Sequence, residues 1–219
     1  MAKKKRLIFL TLDPLNPVVI KLVKSLTQKF ETIVISDIHL DNTYPCETIF
    51  YKHNYSMFQK FALLFNRPIN SVQERKFVKR NVYRRSKNLI NILFILKLLV
   101  SKIFYLPLYS DIVFFLFKRK RVEKGIINKG DLCIVDSNLR HTLTINPLVV
   151  RASIVGKLIS FVYSWDNPQY STLNKFSLAY LVINKQNKKE LIDFYNISEE
   201  KFFITGSLIH DYLMENGLP

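Results

Sequence analysis

The amino-acid sequence predicts an open, Rossmann-like parallel α/β sheet with helices on both faces. Three observations carry this prediction. Short, continuous apolar runs end in polar residues, as is typical of strands that are buried on both faces. Segments with apolar residues at helical spacing lie between several of these runs. The chain has 219 residues, of which 48% are hydrophobic, and this is enough for one domain with a substantial core.

The first strand–helix–strand unit follows a short basic tail. The run RLIFLTLD, residues 6–13, predicts a first buried strand. Residues 17–30 predict a helix, because their apolar positions recur at helical spacing. Residues 32–38 and 47–51 predict a second and a third strand. The basic start does not predict a signal peptide, because the apolar run after it is too short and has no small-residue cleavage site.

The same rhythm of strands and helices returns after Gly130, so that six or seven strands are expected in all. Helices are predicted over residues 141–155, ending near Gly156, and over residues 185–195, ending near Asn196. The remaining strands are predicted from the apolar runs DLCIVDS (131–137), LISFVYSW (158–165), LAYLVIN (178–184) and KFFITGS (201–207).

Residues 56–129 differ from the rest of the chain and predict a basic helical insertion. Their residue pattern is typical of helices, they contain few helix-breaking Gly and Pro residues, and they carry a high density of positive charge. The apolar stretch 89–117 has the length of a membrane span, but charged residues and Pro107 interrupt it. No uninterrupted apolar run reaches the about 18–20 residues that a transmembrane helix needs. We therefore expect contact with a membrane surface and no span.

The formal net charge of +16 predicts anionic partners, which include phosphate-rich ligands, nucleic acid and anionic lipid. The basic residues cluster on both sides of the apolar stretch, and this arrangement is typical of an element that lies on an anionic membrane. A solvated charged face around a core helix is the alternative. No sequence signature of nucleic-acid binding supports that partner, and we do not expect it. The predicted membrane-surface residues are Arg75, Lys76, Lys79, Arg80, Arg84, Arg85, Lys118, Arg119, Lys120 and Arg121.

Several familiar sites are not predicted. The two cysteines and four histidines are scattered along the sequence and form neither a disulfide framework nor a metal site. Two unclustered cysteines are typical of a protein in the reducing cytosol. The turn after the first strand is TLDPLNP, which is neither a dinucleotide-binding GxGxxG nor a P-loop. No GxSxG elbow is present in the sequence. We therefore expect no metal and no bound cofactor.

An open parallel sheet binds its ligand beyond the carboxyl ends of its strands. Polar or small residues follow nearly every predicted strand and should form one rim. For each residue alone, the alternative is a helix cap or a turn, and Trp165 could also close the core. The rim comprises residues 13–16, 37–39, 136–138, 164–167, 184–185 and 205–207.

From Ser164 to Asp211 the sequence resembles GT-B-type glycosyltransferases that build bacterial surface polysaccharides, including relatives of the CDP-glycerol glycerophosphotransferases. Those chains carry a Ser-Trp-Asp-Asn stretch, then a strand ending in Asn, a helix, and a Y-x-I motif leading to T-G-x-x-x-x-D. In those chains an acid usually precedes the strand that ends in Asn, and here Leu178-Ala179 stands in its place. The matching residues are Ser164, Trp165, Asp166, Asn167, Asn184, Tyr195, Ile197, Lys201, Thr205, Gly206 and Asp211.

The resemblance implies two Rossmann-like halves that face each other across a cleft. The N-terminal half holds the acceptor, and the C-terminal half holds the nucleotide diphosphate of the donor. We therefore expect residues 1–207 to form the acceptor-side domain and residues 208–219 to begin the linker to a second domain outside this chain. The leaving diphosphate in such proteins is generally stabilised by backbone groups, helix dipoles and basic side chains, so that no metal is implied.

Glycosyl transfer with inversion needs a base that takes the proton of the acceptor hydroxyl. The predicted catalytic residues are Asp166 and His141, with Asp13 as a third candidate base. Such an enzyme would act in the cytoplasm, at the inner face of the membrane, on a glycan or lipid-linked acceptor. The predicted substrate-binding residues are Asp13, Asn16, Ser137, Asn138, Ser164, Trp165, Asn167, Thr205 and Gly206.

Two other functions remain open from the sequence. A nucleotide-sugar 2-epimerase could use the same fold, with extra acids supplied by the second half. A non-catalytic module that binds a membrane or a partner protein is the alternative from a different class, and it predicts lipid binding without any binding of a nucleotide sugar.

Overall fold

The computed structural model describes most of the sheet and its helices, together with parts of the segment between the third and fourth strands. The described residues are 4–11, 13–40, 42–65, 96, 99–100, 103–107, 109–118, 125–136, 146–162, 175–207, 211 and 214–215.

These residues contain seven strands, five α-helices and one short 3-10 helix. The strands are β1 (Arg6–Leu10), β2 (Glu31–Ser36), β3 (Glu47–Phe50), β4 (Leu132–Asp136), β5 (Lys157–Phe161), β6 (Ala179–Val182) and β7 (Phe202–Ile204). The helices are α1 (Pro17–Lys29), α2 (Met57–Leu64), α3 (Tyr109–Phe117), α4 (Asn146–Val155) and α5 (Lys185–Tyr195), and the 3-10 helix is Glu199–Lys201.

The strands form one parallel sheet in the order β3-β2-β1-β4-β5-β6-β7. The chain therefore builds outward from β1 in one direction, returns to the centre at β4, and builds outward in the other direction. This doubly wound order confirms the predicted Rossmann-like α/β fold.

Helix α1 covers one face of the sheet. Side chains along a strand alternate between the faces, so that Leu7 and Phe9 of β1 point toward α1 while Ile8 and Leu10 point away. Asn16 caps the helix, because its side-chain oxygen accepts a hydrogen bond from the backbone N–H of Val18 at 3.0 Å. The buried core on this face consists of Leu7, Phe9, Val19, Val23, Val34, Leu40, Tyr44, Ile134 and Phe161.

Helices α4 and α5 supply the core of the opposite face. Leu148, Val149 and Ala152 of α4 pack with Ile8 and Leu10 in a buried cluster that reaches from β2 to β5. Helix α5 extends this layer toward the sheet edge, where Leu191 and Tyr195 pack with the β6 residues Tyr180 and Val182. Because both faces are covered, the central strands β1 and β4 are apolar between their ends, as is typical of a parallel sheet.

The amino ends of β1 and β4 are joined by an ion pair. Arg6 Nη1 lies 2.8 Å from Asp131 Oδ2, and Arg6 also donates to the carbonyl of Ile126 at 3.0 Å. Asp131 in turn accepts from the backbone N–H of Asn128 at 2.8 Å. Burial raises the pKa of the neighbouring Cys133 thiol to about 12, and the charge of Asp131 adds to this effect. A thiol in this position is a core side chain and stays unreactive near neutral pH.

The chain divides into two compact units, and the segment between β3 and β4 forms the second. The first unit consists of Met1–Asn54 and Phe117–Pro219, and the second consists of Tyr55–Leu116. In the second unit, α2 begins with a capping box in which Ser56 and Gln59 each bond the other's backbone N–H. Among the described residues, no helix combines the length and the apolar character needed to cross a membrane.

Most predicted elements agree with the structure, but the apolar runs overestimate the strands. The first strand was predicted to Asp13 and ends at Leu10, and the second was predicted to Ile38 and ends at Ser36. In both places a backbone N–H donates to a hydroxyl two residues earlier. The N–H of Asp13 donates to Thr11, which directly follows β1, and the N–H of Ile38 donates to Ser36, the last residue of β2. The helix predicted over residues 141–155 ends as expected at Val155, and its predicted first five residues lie outside the described part.

We predict that Leu148→Ala lowers the free energy of unfolding by about 2–5 kcal/mol, because it opens a cavity in the core between α4 and the sheet. Leu148 is fully buried. The control is Ile154→Ala on the same helix, where the side chain is 49% exposed and the loss should stay below about 1 kcal/mol. Urea denaturation followed by circular dichroism measures both variants. Equal losses would show that α4 does not pack on the sheet as described.

Candidate functional site

The candidate site lies at the carboxyl ends of β1 and β4, in the centre of the sheet. The chain leaves β1 through α1 toward β2 on one side, and it leaves β4 toward β5 on the other side. Loops that diverge in this way leave a crevice between them, and open parallel sheets bind ligands in that crevice. Of this position the structure describes residues of the β1–α1 loop and the end of β4.

A buried hydrogen bond joins the two central strands at this crevice. The Thr11 hydroxyl donates to the Asp136 carboxylate, and both side chains are fully buried. The Thr11 oxygen also accepts from the backbone N–H of Asp13 at 3.2 Å. One hydroxyl thus ties the end of β1 both to β4 and to the loop that follows it.

The β1–α1 loop is fixed by its own polar side chains. The backbone N–H of Asn16 donates to the carbonyl of Asp13 at 3.1 Å and closes a turn that has Pro14 at its second position. Asn16 Nδ2 also donates to Asp13 Oδ2 at 3.1 Å, while its oxygen caps α1. The first residue of α1 is Pro17, which has no N–H to offer a ligand. The sequence analysis gave a turn or a helix cap as the alternative to ligand binding for each rim residue. Asn16 is indeed a helix cap.

Tyr44 completes the site from the segment between β2 and β3. Its hydroxyl donates to the carbonyl of Pro14, and only 7% of its surface is exposed. Burial raises the pKa of Tyr44, and the negative charges of Asp136, Cys46 and Asp13 raise it further. A neutral tyrosine hydroxyl therefore lies close to both carboxyl groups of the crevice.

The arrangement can bind hydroxyl groups but is unsuited to a diphosphate. Asp13 and Asp136 place two carboxyl groups where a dinucleotide-binding fold has its glycine-rich phosphate turn. At the start of α1, Pro17 has no N–H, and the N–H of Val18 already donates to the Asn16 side chain. A phosphate would meet negative charge and few free donors, whereas a sugar or polyol hydroxyl would find acceptors. Of the two acids, Asp136 is fully buried and Asp13 is partly exposed, so that Asp13 is the one a ligand can reach.

The predicted residues at the far end of the rim lie apart from this crevice. Thr205 follows β7 and donates through its backbone N–H to the carbonyl of Val182 at 2.8 Å, and Gly206 has φ +82. Four strand spacings separate β7 from β1, or about 19 Å. Asn184, at the end of β6, caps α5 by accepting from the N–H of Asn187 at 2.8 Å. A ligand would have to be large to touch both clusters.

Many predicted site residues lie outside the part of the chain that the structure describes. These are Ser137, Asn138 and His141 after β4; Ser164, Trp165, Asp166 and Asn167 after β5; and the basic residues Arg75, Lys76, Lys79, Arg80, Arg84, Arg85, Arg119, Lys120 and Arg121. Lys118 is described, and it lies exposed directly after α3.

Thr11 and Tyr44 are site residues that the sequence analysis missed. Thr11 was assigned to the interior of the first strand, where nothing distinguishes it from a neighbouring apolar position. Tyr44 lies in a segment without a motif, and only the fold brings it to the β1–α1 loop. Asp136 was expected at the rim, but its bond to Thr11 was not.

A concave region lies at the edge of the sheet that β7 forms. It is a hollow of about 340 Å³ beside α5 and β7, lined by Lys185, Lys188, Lys189, Ile192, Glu199 and Ile204. Lys188 pairs with Glu199 at 2.8 Å, and this hydrogen bond and charge lower the pKa of Glu199. Among the described residues, no group of three or more His, Cys, Asp or Glu side chains could hold a metal ion.

Comparison with known proteins does not identify a family for this chain. A scan against models of known protein families gives no match, and a search among curated proteins finds no significant similarity.

We predict that Thr11→Val lowers the free energy of unfolding by about 1–3 kcal/mol, because the buried Asp136 carboxylate loses a donor that valine cannot replace. The control is Thr27→Val on α1, where the hydroxyl makes an exposed bond to the carbonyl of Lys24. The control should change stability by about 0.5 kcal/mol or less. Urea denaturation at neutral pH measures both, and a fully stable Thr11→Val protein would show that this bond does not hold the strands together.

We predict that Tyr44 makes the protein less stable as the pH rises above about 10. Its raised pKa keeps the hydroxyl neutral in the folded protein at a pH where it ionises in the unfolded chain. The contribution is therefore complete below about pH 10 and is lost as the pH rises toward the folded pKa.

Denaturation at pH 9 and pH 11 tests this with Tyr44→Phe, which should lose less stability between the two values than the unmodified protein. Tyr105→Phe, at a position that is 77% exposed, is the control and should match the unmodified protein. An identical loss in Tyr44→Phe and in the control would contradict the buried position of the Tyr44 hydroxyl.

Proposed function

We propose that this chain is the acceptor-binding half of a GT-B-type glycosyltransferase. The complete enzyme would transfer a nucleotide-activated sugar or polyol phosphate to a cell-surface glycan acceptor. Two features support the proposal: the resemblance of residues 164–211 to such enzymes, and the doubly wound parallel sheet that a Rossmann-like half requires.

The observation that carries the proposal is the chemistry of the crevice between β1 and β4. A nucleotide-binding half would offer free amides and small residues at this point. This crevice instead presents the Asp13 carboxyl, which accepts from Asn16, near Tyr44, and Asn16 already caps the N–H of Val18 at the start of α1. Carboxylates accept hydrogen bonds from sugar hydroxyls, so that the crevice suits an acceptor better than a donor diphosphate.

In the proposed reaction, a base takes the proton of an acceptor hydroxyl, and the freed oxygen attacks the activated carbon or phosphorus of the donor. When a sugar is transferred, the nucleoside diphosphate leaves. When a polyol phosphate is transferred, the attacked phosphorus stays with the polyol and the nucleoside monophosphate leaves. The candidate bases are Asp166, His141 and Asp13. Of these, Asp13 lies in the described crevice, where Asn16 orients its carboxyl group.

The second half of the enzyme would bind the donor and stabilise the leaving diphosphate. The proposal assigns this task to backbone amides, a helix amino end and basic side chains, and it includes no metal and no cofactor besides the donor. The acceptor would be a glycan or a lipid-linked glycan, and the enzyme would lie on the cytoplasmic face of the membrane. The basic residues between positions 75 and 121 support that location by their charge.

We predict that one of the candidate bases is essential in the complete enzyme, meaning this chain joined to its donor-binding half. Asp166→Asn or His141→Ala should lower kcat about 100-fold or more if the residue is the base. If Asp13 is the base, Asp13→Asn should lower kcat in the same way; otherwise it should chiefly raise KM for the acceptor, because it weakens a hydrogen bond to a hydroxyl. The control is Asp193→Asn, an exposed acid on α5, which should leave both constants unchanged.

The assay measures nucleotide release from UDP-sugars and CDP-glycerol in the presence of membrane glycan acceptors. Unchanged constants in all three variants would contradict the assignment of the acceptor site. If no donor releases its nucleotide while the protein still binds membranes, the non-catalytic membrane module becomes the better account.

A further inference from the structure

Helix α2 presents its apolar side to solvent. Met57, Phe58, Phe61 and Phe65 are exposed by 81%, 71%, 59% and 51%. Among the side chains of α2 that the structure describes, those of Gln59, at 5% exposure, and Leu63, at 7%, are buried. The usual pattern of a surface helix is the reverse, with the apolar stripe facing inward and polar residues outside.

The exposed side chains of α2 form one continuous stripe. Phe58, Phe61 and Phe65 are spaced three and four residues apart, and residues at this spacing are neighbours on a helix surface. The rings of Phe61 and Phe65 are in edge-to-face contact, with centroids 4.9 Å apart. We call Met57, Phe58, Phe61 and Phe65 the aromatic face. Exposed apolar patches of this kind mark sites that bind another surface.

The same unit carries a second exposed apolar stripe. Leu96, Leu99, Val100 and Ile103 have helical backbone conformation, follow the same spacing, and are 42–75% exposed. Phe104, which donates its backbone N–H to the carbonyl of Val100 at 2.8 Å, is 65% exposed. Two exposed apolar stripes in one unit of this size are more than scattered surface residues explain.

The charge of the unit indicates which surface it binds. Between Tyr55 and Leu116 the sequence has eleven Lys and Arg residues and only two acids, Glu74 and Asp111. This basic excess of nine is more than half of the net charge of +16 of the whole chain. Apolar side chains together with a strong basic excess complement the hydrocarbon boundary and the negative headgroups of an anionic bilayer.

We infer that the aromatic face of α2 inserts into an anionic phospholipid membrane. The helix has eight residues, or about 12 Å of length, whereas the hydrocarbon core is about 30 Å thick. It therefore lies in the interface, with the Phe side chains among the acyl chains, and the net positive charge of the unit favours an anionic surface. The Ser56–Gln59 capping box holds the first turn and so keeps Met57 and Phe58 presented.

This inference rests on the membrane location in the proposed function and deepens it by naming the contact residues and the lipid chemistry. Its test needs neither donor nor acceptor. Failure of the test would therefore remove the membrane contact and leave the proposal of glycosyl transfer open to its own assay.

The experiment is co-sedimentation of the full chain with vesicles of phosphatidylcholine, with and without about 40 mol% phosphatidylglycerol. The test variant is Phe58→Ser/Phe61→Ser. The matched control is Phe203→Ser on β7, where an equally large side chain is 55% exposed outside this unit. Circular dichroism and size-exclusion chromatography with light scattering report folding and oligomeric state for each protein.

We expect binding to the anionic vesicles only. The double variant should bind about tenfold or more weakly, since two aromatic side chains no longer leave water. The control should bind like the unmodified protein. Equal binding by the double variant would show that charge alone holds the protein and would overturn the insertion. A protein that ignores vesicles but changes from oligomer to monomer in the double variant would overturn it too, because a second copy would then cover the aromatic face.

Discussion

The pairing of β1 with β4 is the constraint on which the rest of this structure depends. The two strands are far apart in the sequence, and they are joined at both ends by side chains 125 residues apart. Arg6 pairs with Asp131 where the strands begin, and Thr11 bonds Asp136 where they end. The pairing joins the strands that precede the second unit in the sequence to the strands that follow it. It also creates the change of winding direction at which the candidate site lies.

The buried polar bond at the carboxyl end has a second consequence, because it fixes the chemistry of the crevice. Thr11 donates to one oxygen of Asp136 and orients the loop that carries Asp13. A buried carboxyl group without such a donor would be costly. The bond therefore stabilises the buried carboxyl group of Asp136 at a position where related folds bind phosphate. We connect this property with an acceptor rather than a donor.

The sequence predicts the sheet well because burial on both faces leaves a strong signal in each strand. It predicts strand ends poorly, because apolar residues continue beyond the last paired position. Val162, for example, follows β5 and is still 1% exposed. The prediction of a helical insertion did not include the orientation of α2. Its Phe side chains have helical spacing, and spacing alone does not tell whether a stripe faces a core or the solvent.

The candidate site shows the same division between local and long-range information. Asp13 and Asn16 were predicted because they follow a strand and precede a helix, and both the loop and the cap are local features. Thr11 and Tyr44 could not be predicted, since their roles depend on partners 125 and 30 residues away. The residues after β5 that carry the resemblance to glycosyltransferases remain a prediction from the sequence.

The most direct test of the proposal is a crystal structure of this chain joined to the proposed donor-binding half, with a nucleotide donor and a glycan acceptor bound. The account predicts an acceptor hydroxyl within hydrogen-bonding distance of the Asp13 carboxyl, in the crevice between β1 and β4, and the nucleotide diphosphate on the other half. A diphosphate bound at the β1–α1 loop of this chain would contradict it.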